Sequence, residues 1–499
     1  MFVLLLAAAQ LRLIALTLNW RLSLDELAYI VNDAGPEVIF HDHAHTSTAN
    51  SLASAPVDHA ANLQMAAATV TRSDDTAAPA GRAIKVISLE YTDAQSLHQR
   101  RGGFPVTELP AMGVASAMMP AAPDIDATPA LLVYTSGTTG RPKGALLSQR
   151  AMVANAIMSQ HMTSLSADDK VLNVLPLFHV GGINIQSLPA LMHGATLVLH
   201  QSFDPLRCLA AIAQHRITLM VAVPTVLQAL IAQPAWSETS IESLRSVAIG
   251  STDVPLPLIE AVHARGVPVV QVYGATETGP ICIYQLAEHA RSTAGSIGRA
   301  GLLCEIALLG QDGAVVADGE PGEICLRGDN TLTRYWNQAE ATATAFSHGW
   351  FHTGDVARCD NEGNYWFHDR IKHVIISGGE NIYPAEIERV LRQLPAVLDV
   401  AVVGRQHERW GEVPVAVIAV GDELANMLQH PQPLVTAAAG ACESNLARFK
   451  RPREIHVVAD LPRNALGKVL VQNVRETVLR SLPPGSNAAD SAAACYQLL

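Results

Sequence analysis

Residues 134–144 read Tyr-Thr-Ser-Gly-Thr-Thr-Gly-Arg-Pro-Lys-Gly, a stretch whose residue types suit the holding of phosphate. Gly137, Gly140 and Gly144 let the backbone pass close to a ligand, Thr135, Ser136, Thr138 and Thr139 add hydroxyl donors, and Lys143 adds positive charge. It is not the GxxxxGK[ST] loop, because Gly144 follows Lys143 and no metal-binding hydroxyl stands directly after the lysine. Further along, Tyr273-Gly274-Ala275-Thr276-Glu277-Thr278-Gly279 carries a carboxylate. Beside a triphosphate that carboxylate would repel the ligand unless a cation intervened, so Glu277 reads as a Mg²⁺ ligand. Asp355, after Trp350-Phe351-His352-Thr353-Gly354, can accept both hydroxyls of a ribose. Arg370 offers a planar fork for ribose or phosphate oxygens and equally for an ion pair with Asp355 or Asp369.

The elements that position these groups follow from periodicity. From Leu131 onward, short β-branched runs alternate with helical spacing, which predicts an α/β fold with a parallel sheet flanked by helices. Strands are expected over 131–134, feeding the phosphate loop, and over 195–199, 219–223, 246–249 and 268–272. Helices are expected from Asp204 as N-cap with Pro205 behind it, from Pro224, and over 257–265. Ligands of such sheets sit beyond the carboxyl ends of the strands, so the loop at 134–144 and the motif at 272–280 are expected to converge. Beyond Gly295 the turn residues of 311–313 and 318–322 point to a small antiparallel section. A boundary falls near Asp369 and Arg370. After it come a strand over 374–376 and a helix begun by Pro384, with Ile387, Val390, Leu391 and Leu394 on one face. Strands over 397–403 and 413–420 follow, and a last helix ends near Leu482. Pro483-Pro484-Gly485-Ser486 opens a tail, 483–499, expected to be disordered.

At 499 residues, with 49% hydrophobic and 16% charged residues, the chain is expected to be globular with at least two domains. The formal net charge of -12 argues against a nucleic-acid or anionic-membrane partner, so an anionic ligand must be met by locally concentrated donors. Seven scattered cysteines without a CxxC pair suit reduced thiols in a cytoplasmic protein and give no zinc pattern. The apolar start, Phe2 to Ala9, has no basic segment before it, and no later run is long enough for a membrane span.

The loop at 134–144 resembles the signature of the AMP-forming acyl-CoA synthetases, the adenylate-forming enzymes. Four further stretches match that family in order: LPLFHVGG from Leu175, VYGATETGP from Val272, GWFHTGDVARCDNEGNYWFHDRIKHVIISGGENIYPAEIE from Gly349, and LPRNALGKVL from Leu461. The resemblance implies a large N-terminal domain with parallel sheets flanked by helices, over 1–369 and lacking a usual N-terminal strand-and-helix segment. A small C-terminal α+β domain on a hinge, over 370–482, would complete the fold. It further implies that the phosphate loop, Tyr273, Gly274 and Ala275 bind the nucleotide, that Thr276 contacts nucleotide or carboxylate, and that Glu277 holds Mg²⁺. Asp355 is then the ribose ligand, Arg370 its neighbour, and Lys468 the ammonium that stabilises charge as a carboxylate attacks the α-phosphate. His179 resembles a position beside the acyl pocket, where it either gates the carboxylate or is a buried structural histidine. Ser377, Gly378 and Gly379 would let the pantetheine arm of CoA approach. Where relatives commonly carry Gly-Gly-Ala-Pro, this chain has Gly250-Ser251-Thr252-Asp253-Val254-Pro255, so the pocket near adenine and acyl group departs from the pattern.

The activity so implied is an ATP-dependent carboxylate:CoA ligase with ATP, Mg²⁺ and CoA. Its acid is expected to be apolar, either a medium- to long-chain fatty acid or a hydroxycinnamate-like aryl acid. Two other readings remain: transfer of the acyl group to a carrier protein, and a shortened, non-catalytic nucleotide-binding remnant.

Overall fold

The computed structural model describes residues 1–54, 84–88, 128–135, 142–251, 254–310, 312–377, 380–407, 409–421, 425–463 and 468–480. A seven-stranded sheet lies at the centre of the larger part, in the order Arg299–Ala300, Ile283–Tyr284, Val269–Tyr273, Ser246–Gly250, Leu219–Ala222, Lys170–Asn173, Thr196–Leu199. The last five of these are mutually parallel, and the first two are antiparallel additions at one edge. Every residue of Leu219–Ala222 and Ser246–Gly250 is buried, as expected for parallel strands covered on both faces. The helix Pro205–His215 starts as anticipated: the Asp204 side chain accepts from the backbone N–H of Arg207 at 2.8 Å, a cap worth about 1 kcal/mol. Its inward face places Cys208, Leu209 and Ile212 against Met220 and Ile249 of the sheet.

One placement differs from the sequence reading. The strand Pro129–Thr135 does not belong to the parallel sheet but to a separate four-stranded one, ordered Ala15–Thr17, Pro129–Thr135, Lys143–Ser148, Arg334–Tyr335. Pro129–Thr135 and Lys143–Ser148 are antiparallel, with Thr135 opposite Lys143, so the phosphate loop is the connection of a hairpin. The cause lies in the run Ala145-Leu146-Leu147, which is fully buried and returns as a strand before the helix Gln149–Thr163 begins. The helix Phe2–Gln10 seats Phe2 and Leu5 in the same core, beside Leu131, Val133 and Leu147.

The helix Leu24–Ala34 opens with a reciprocal Ser23/Glu26 capping box and ends at Gly35 with φ of +61°, a left-handed stop that glycine tolerates. A five-stranded antiparallel sheet follows the central one, as the turn chemistry beyond Gly295 anticipated. It contains Cys304–Leu309, Gly322–Gly328, Trp350–Cys359 and Phe346–Ser347, with Tyr365–Arg370 paired to Trp350–Cys359.

The C-terminal part has its own sheet and core. Glu380–Ile382, Ile375–Ser377, Gly411–Ala419 and Asp399–His407 run in that order, and Glu454–Val458 joins Gly411–Ala419 in parallel. The helix Pro384–Leu391 buries Ile387 and Leu391 fully, while Val390 and Leu394 pack at the margin of the same core. The final helix, Val471–Arg480, closes the described chain, and the tail 483–499 lies outside the described residues. No helix among the described residues is long and apolar enough to cross a membrane.

Candidate active site

Asp355 lies on Trp350–Cys359 directly opposite Arg370, the last residue of Tyr365–Arg370, so strand register brings the two together. The Asp355 side chain is buried, its Oδ2 accepts from the Tyr273 hydroxyl at 2.8 Å, and Arg370 Nε stands 3.0 Å from Oδ1. The ion pair left open by the sequence is therefore present. Oδ1 nonetheless receives no aligned hydrogen bond, because the Nε–H is not aimed at it. A buried carboxylate oxygen in that condition suits an incoming hydroxyl donor such as a ribose.

The turn that presents Asp355 is braced from the neighbouring strand. Glu323 Oε1 accepts from the backbone N–H of Gly354 at 2.9 Å, and Oε2 lies 2.8 Å from His352 Nδ1. Thr353 donates its hydroxyl to the carbonyl of Ile324 at 2.7 Å and accepts from the Asp355 N–H at 3.1 Å. Cys325 Sγ, 3.3 Å from His352 Nδ1, completes this hydrogen-bonded group. Burial, with the Glu323 charge adding, pushes the Cys325 thiol up to about 12, which keeps it protonated.

Gly250 and Gly274 are demanded by close backbone approach. A Cβ on Gly250 would fall 2.2 Å from the carbonyl oxygen of Val272, and one on Gly274 would fall 1.8 Å from that of Pro280. Glycine at both positions is therefore required by the packing of neighbouring backbone. Ser251, exposed and with φ of +81°, follows Gly250, and Thr252 lies outside the described residues.

After Tyr273 the chain turns through Ala275 into the short 3₁₀ segment Thr276–Thr278. Asn330 Nδ2 fastens that turn to the carbonyls of Thr278 and Ile281 at 2.7 and 2.8 Å. Thr276 is buried, whereas the Glu277 carboxylate reaches Tyr335, whose hydroxyl donates to Oε1 at 2.9 Å. Tyr335 pairs with Ala145, two residues past Lys143, and the Lys143 ammonium stands 5.4 Å from the centroid of its ring. Lys143, at the end of the phosphate loop, thus lies near the 272–280 motif, although the two come from different sheets.

At the root of the loop, the Tyr134 hydroxyl donates to Asp33 Oδ2 at 2.5 Å, and Thr135 Oγ1 lies 3.5 Å from the Lys143 carbonyl. Ser136, Gly137, Thr138, Thr139 and Gly140 lie outside the described residues, as do Gly378 and Gly379.

Lys468 arrives from the C-terminal part. Burial, repulsion by Arg370 and repulsion by Lys372 pull its ammonium down to about 8, and the Asp355 carboxylate opposes them. Lys468 is therefore within electrostatic reach of the Asp355–Arg370 pair. Its charge also reaches His179, whose pKa falls through burial first and Lys468 second, so the ring is neutral at neutral pH. His179 caps the short helix Val180–Asn184, with Nδ1 accepting from the Gly181 N–H at 3.1 Å, which requires the proton on Nε2. His179, half-buried, thus caps a helix within electrostatic reach of Lys468.

Ser377, by contrast, pairs with Glu380 and Gly411 inside the C-terminal sheet. Among the described residues no hydrogen bond or ion pair links it to the Asp355 group.

Lys372, Tyr335 and Asp33 belong to this neighbourhood and escaped the sequence reading. For Lys372 a signal existed, two residues beyond Arg370 in Asp-Arg-Ile-Lys. Tyr335 and Asp33 act through partners 58 and 101 residues away, which no local pattern reveals.

The AMP-binding enzyme family model matches residues 1–336, and the AMP-binding enzyme C-terminal domain matches 386–468. The chain is 43% identical to an indoleacetate–CoA ligase of Aromatoleum aromaticum over 476 residues, 95% of this chain and 86% of that protein. It is 33% identical to the long-chain-fatty-acid–CoA ligase FadD13 of Mycobacterium tuberculosis, over 95% of this chain and 85% of the other. A solved structure of o-succinylbenzoate CoA synthetase from Bacillus subtilis, in complex with its acyl-adenylate intermediate, superposes with a TM-score of 0.73 at 30% identity. That match covers 95% of this chain and 85% of that one. The chain therefore belongs to the AMP-binding enzyme family as an AMP-forming acyl-CoA synthetase, an acid–thiol ligase that joins a small carboxylic acid to CoA with ATP and Mg²⁺.

Proposed function

We propose that the acid is an apolar, aryl-bearing carboxylate and that the residues gathered at Asp355 perform its activation while the C-terminal domain is docked as seen here. Support for activation here comes from Lys468, on one domain, lying within electrostatic reach of the Asp355–Arg370 pair on the other. The aryl preference rests on the greater identity to the indoleacetate enzyme, 43% against 33% for the fatty-acid enzyme. Scattered, unpaired cysteines support a cytoplasmic setting.

In this reading Asp355 takes the ribose hydroxyls, and Thr135 through Gly140 together with Lys143 hold the phosphates. The backbone of Gly250, Ser251 and Thr252 and of Tyr273 to Ala275 bounds the adenine and the inner end of the acyl site. Mg²⁺, with Glu277 as its protein ligand, supplies positive charge against the triphosphate. A carboxylate oxygen attacks the α-phosphorus, the bond to pyrophosphate breaks, and an acyl-adenylate forms. Lys468 and Arg370 meet the negative charge that grows on the α-phosphate oxygens, an electrostatic role that needs no proton transfer. Thr276 contacts the reacting carboxylate. Neutral His179 presents Nε2–H at the acyl entrance without adding a charge that would compete with Lys468 for the carboxylate.

In the second step the CoA sulfur, losing its proton, attacks the acyl carbon and AMP leaves. Ser377 to Gly379, on the same domain as Lys468, line the pantetheine path after the domain has turned about residues 370–373.

The test is product formation from ATP with a panel of aryl and aliphatic acids, with and without CoA. Thioester from an arylacetate or hydroxycinnamate at higher kcat/KM than from any fatty acid is expected. Preference for a fatty acid refutes the aryl assignment. Adenylate that is discharged only by a carrier protein refutes CoA as acceptor.

A further inference from the structure

Tyr335 stands between two groups that carry opposite charge and come from different sheets. Its hydroxyl donates to Glu277 Oε1 at 2.9 Å, and its ring faces the Lys143 ammonium at 5.4 Å. Its own position is tightly set. The strand Arg334–Tyr335 pairs with Lys143–Ser148, the Tyr335 N–H donates to Thr342 Oγ1 at 3.0 Å, and the next N–H, of Trp336, donates to the Gly144 carbonyl at 2.7 Å. On the other side, the Leu332 N–H donates to the Glu277 carbonyl at 2.7 Å, so one short segment, 332–336, grips both motifs.

Among the described residues, no other side chain donates to the Glu277 carboxylate. The second oxygen, Oε2, is left without a described donor and is available to a cation.

We propose that Tyr335 is a positioning residue for metal-dependent nucleotide binding: it locks the Glu277 carboxylate by one oxygen so that the other faces Mg²⁺. The ring also keeps Lys143 on the opposite flank of the phosphates, where an ammonium cannot collapse into an ion pair with Glu277. The inference rests on the reading of Glu277 as the Mg²⁺ ligand, and it adds the reason why that side chain holds one direction. Outer partners of ligating carboxylates commonly set metal affinity by about 10- to 100-fold.

The experiment uses the full-length enzyme and three variants, Tyr335→Phe, Glu277→Gln and their combination. Tyr335→Phe keeps the ring beneath Lys143 and the packing, and removes only the hydroxyl. Calorimetry measures binding of a non-hydrolysable ATP analogue across a Mg²⁺ titration, and pyrophosphate release is followed over the same range. For Tyr335→Phe the half-saturating Mg²⁺ concentration should rise about tenfold in both assays, excess Mg²⁺ should recover the rate, and metal-free analogue affinity should hold. Glu277→Gln should shift the same midpoint at least as far, and adding Tyr335→Phe to it should bring no further shift, since the hydroxyl acts through that carboxylate.

If Glu277→Gln moves the Mg²⁺ midpoint and Tyr335→Phe does not, the role of Tyr335 is refuted while Glu277 stands. If Glu277→Gln leaves the midpoint in place, the metal reading of Glu277 fails, and the proposal for Tyr335 falls with it. Additive shifts in the combined variant would show that Tyr335 acts elsewhere and would likewise overturn the proposal.

Discussion

Asp355 and Lys468 feel each other's charge at the candidate site, yet they are held by unlike means. Asp355 sits within a sheet, opposite Arg370 in register, under a Tyr273 hydroxyl and above a braced turn. Lys468 directly precedes Val469, which bridges to Arg463, while the Leu470 N–H donates to the Pro462 carbonyl at 2.8 Å. A chain of charges runs from Arg463. Arg463 reaches Asp399 at 2.7 Å, Asp399 also meets Arg392 at 3.4 Å, and Arg392 meets the half-buried Glu388 at 3.2 Å. The proposed ribose ligand is thus fixed by strand register, whereas Lys468, proposed to stabilise the α-phosphate, is carried on the C-terminal domain beside side-chain ion pairs. A group anchored in this way can leave the site without disturbing what it leaves behind.

The largest effect is expected at the mobile side: Lys468→Ala should slow adenylate formation by about 10²- to 10³-fold, the range seen for loss of a preorganised oxyanion donor. Pre-steady-state pyrophosphate release measures it, and a loss below tenfold would remove Lys468 from the chemistry.

On the fixed side, Asp355→Ala should weaken the ATP analogue by about 10- to 100-fold, since a hydrogen bond to a charged group contributes about 1.5 to 3 kcal/mol. Unchanged affinity by calorimetry would end the ribose assignment.

Arg463→Ala attacks the aim of Lys468 without touching the reactants. It should lower the adenylation rate by about tenfold at unchanged nucleotide affinity, because misplacing a charge-stabilising group costs rate rather than binding. A fall in affinity of the same size would contradict the division drawn here.

The smallest effect is a pH limb. Lys468 works as the ammonium and its pKa is pulled down to about 8, so raising pH strips the active form. The kcat/KM of adenylation for ATP should drop about fourfold between pH 7 and 8.5, because that profile reports groups of the free enzyme. In Lys468→Arg the limb should vanish. A limb that persists in that variant belongs to another group.

How far the sequence could be read depended on where each signal lay. Asp204 as cap and the Ile387/Leu391 face were local and came out as expected. Asp355, Arg370, Glu277 and Lys468 lie in contiguous motifs, and the structure brings Lys468 within electrostatic reach of the Asp355–Arg370 pair. The strand before the phosphate loop was recognised, but not its sheet, because strand pairing is a long-range choice that a run of apolar residues does not specify. Tyr335 was invisible for the same reason. Its sequence neighbours, Arg334 and Trp336, say nothing of a carboxylate 58 residues earlier that its hydroxyl will meet.

Separating the two half-reactions in Lys468→Ala asks whether the lysine leaves the site once the adenylate has formed. Wild type and variant are given preformed acyl-adenylate and CoA, and thioester is followed after rapid mixing. With Lys468 needed only while its domain is docked on Asp355, the variant should form thioester at close to the wild-type rate despite its crippled adenylation. If the substitution depresses both half-reactions to the same degree, Lys468 serves a single fixed site and the contrast between a fixed aspartate and a departing lysine is wrong.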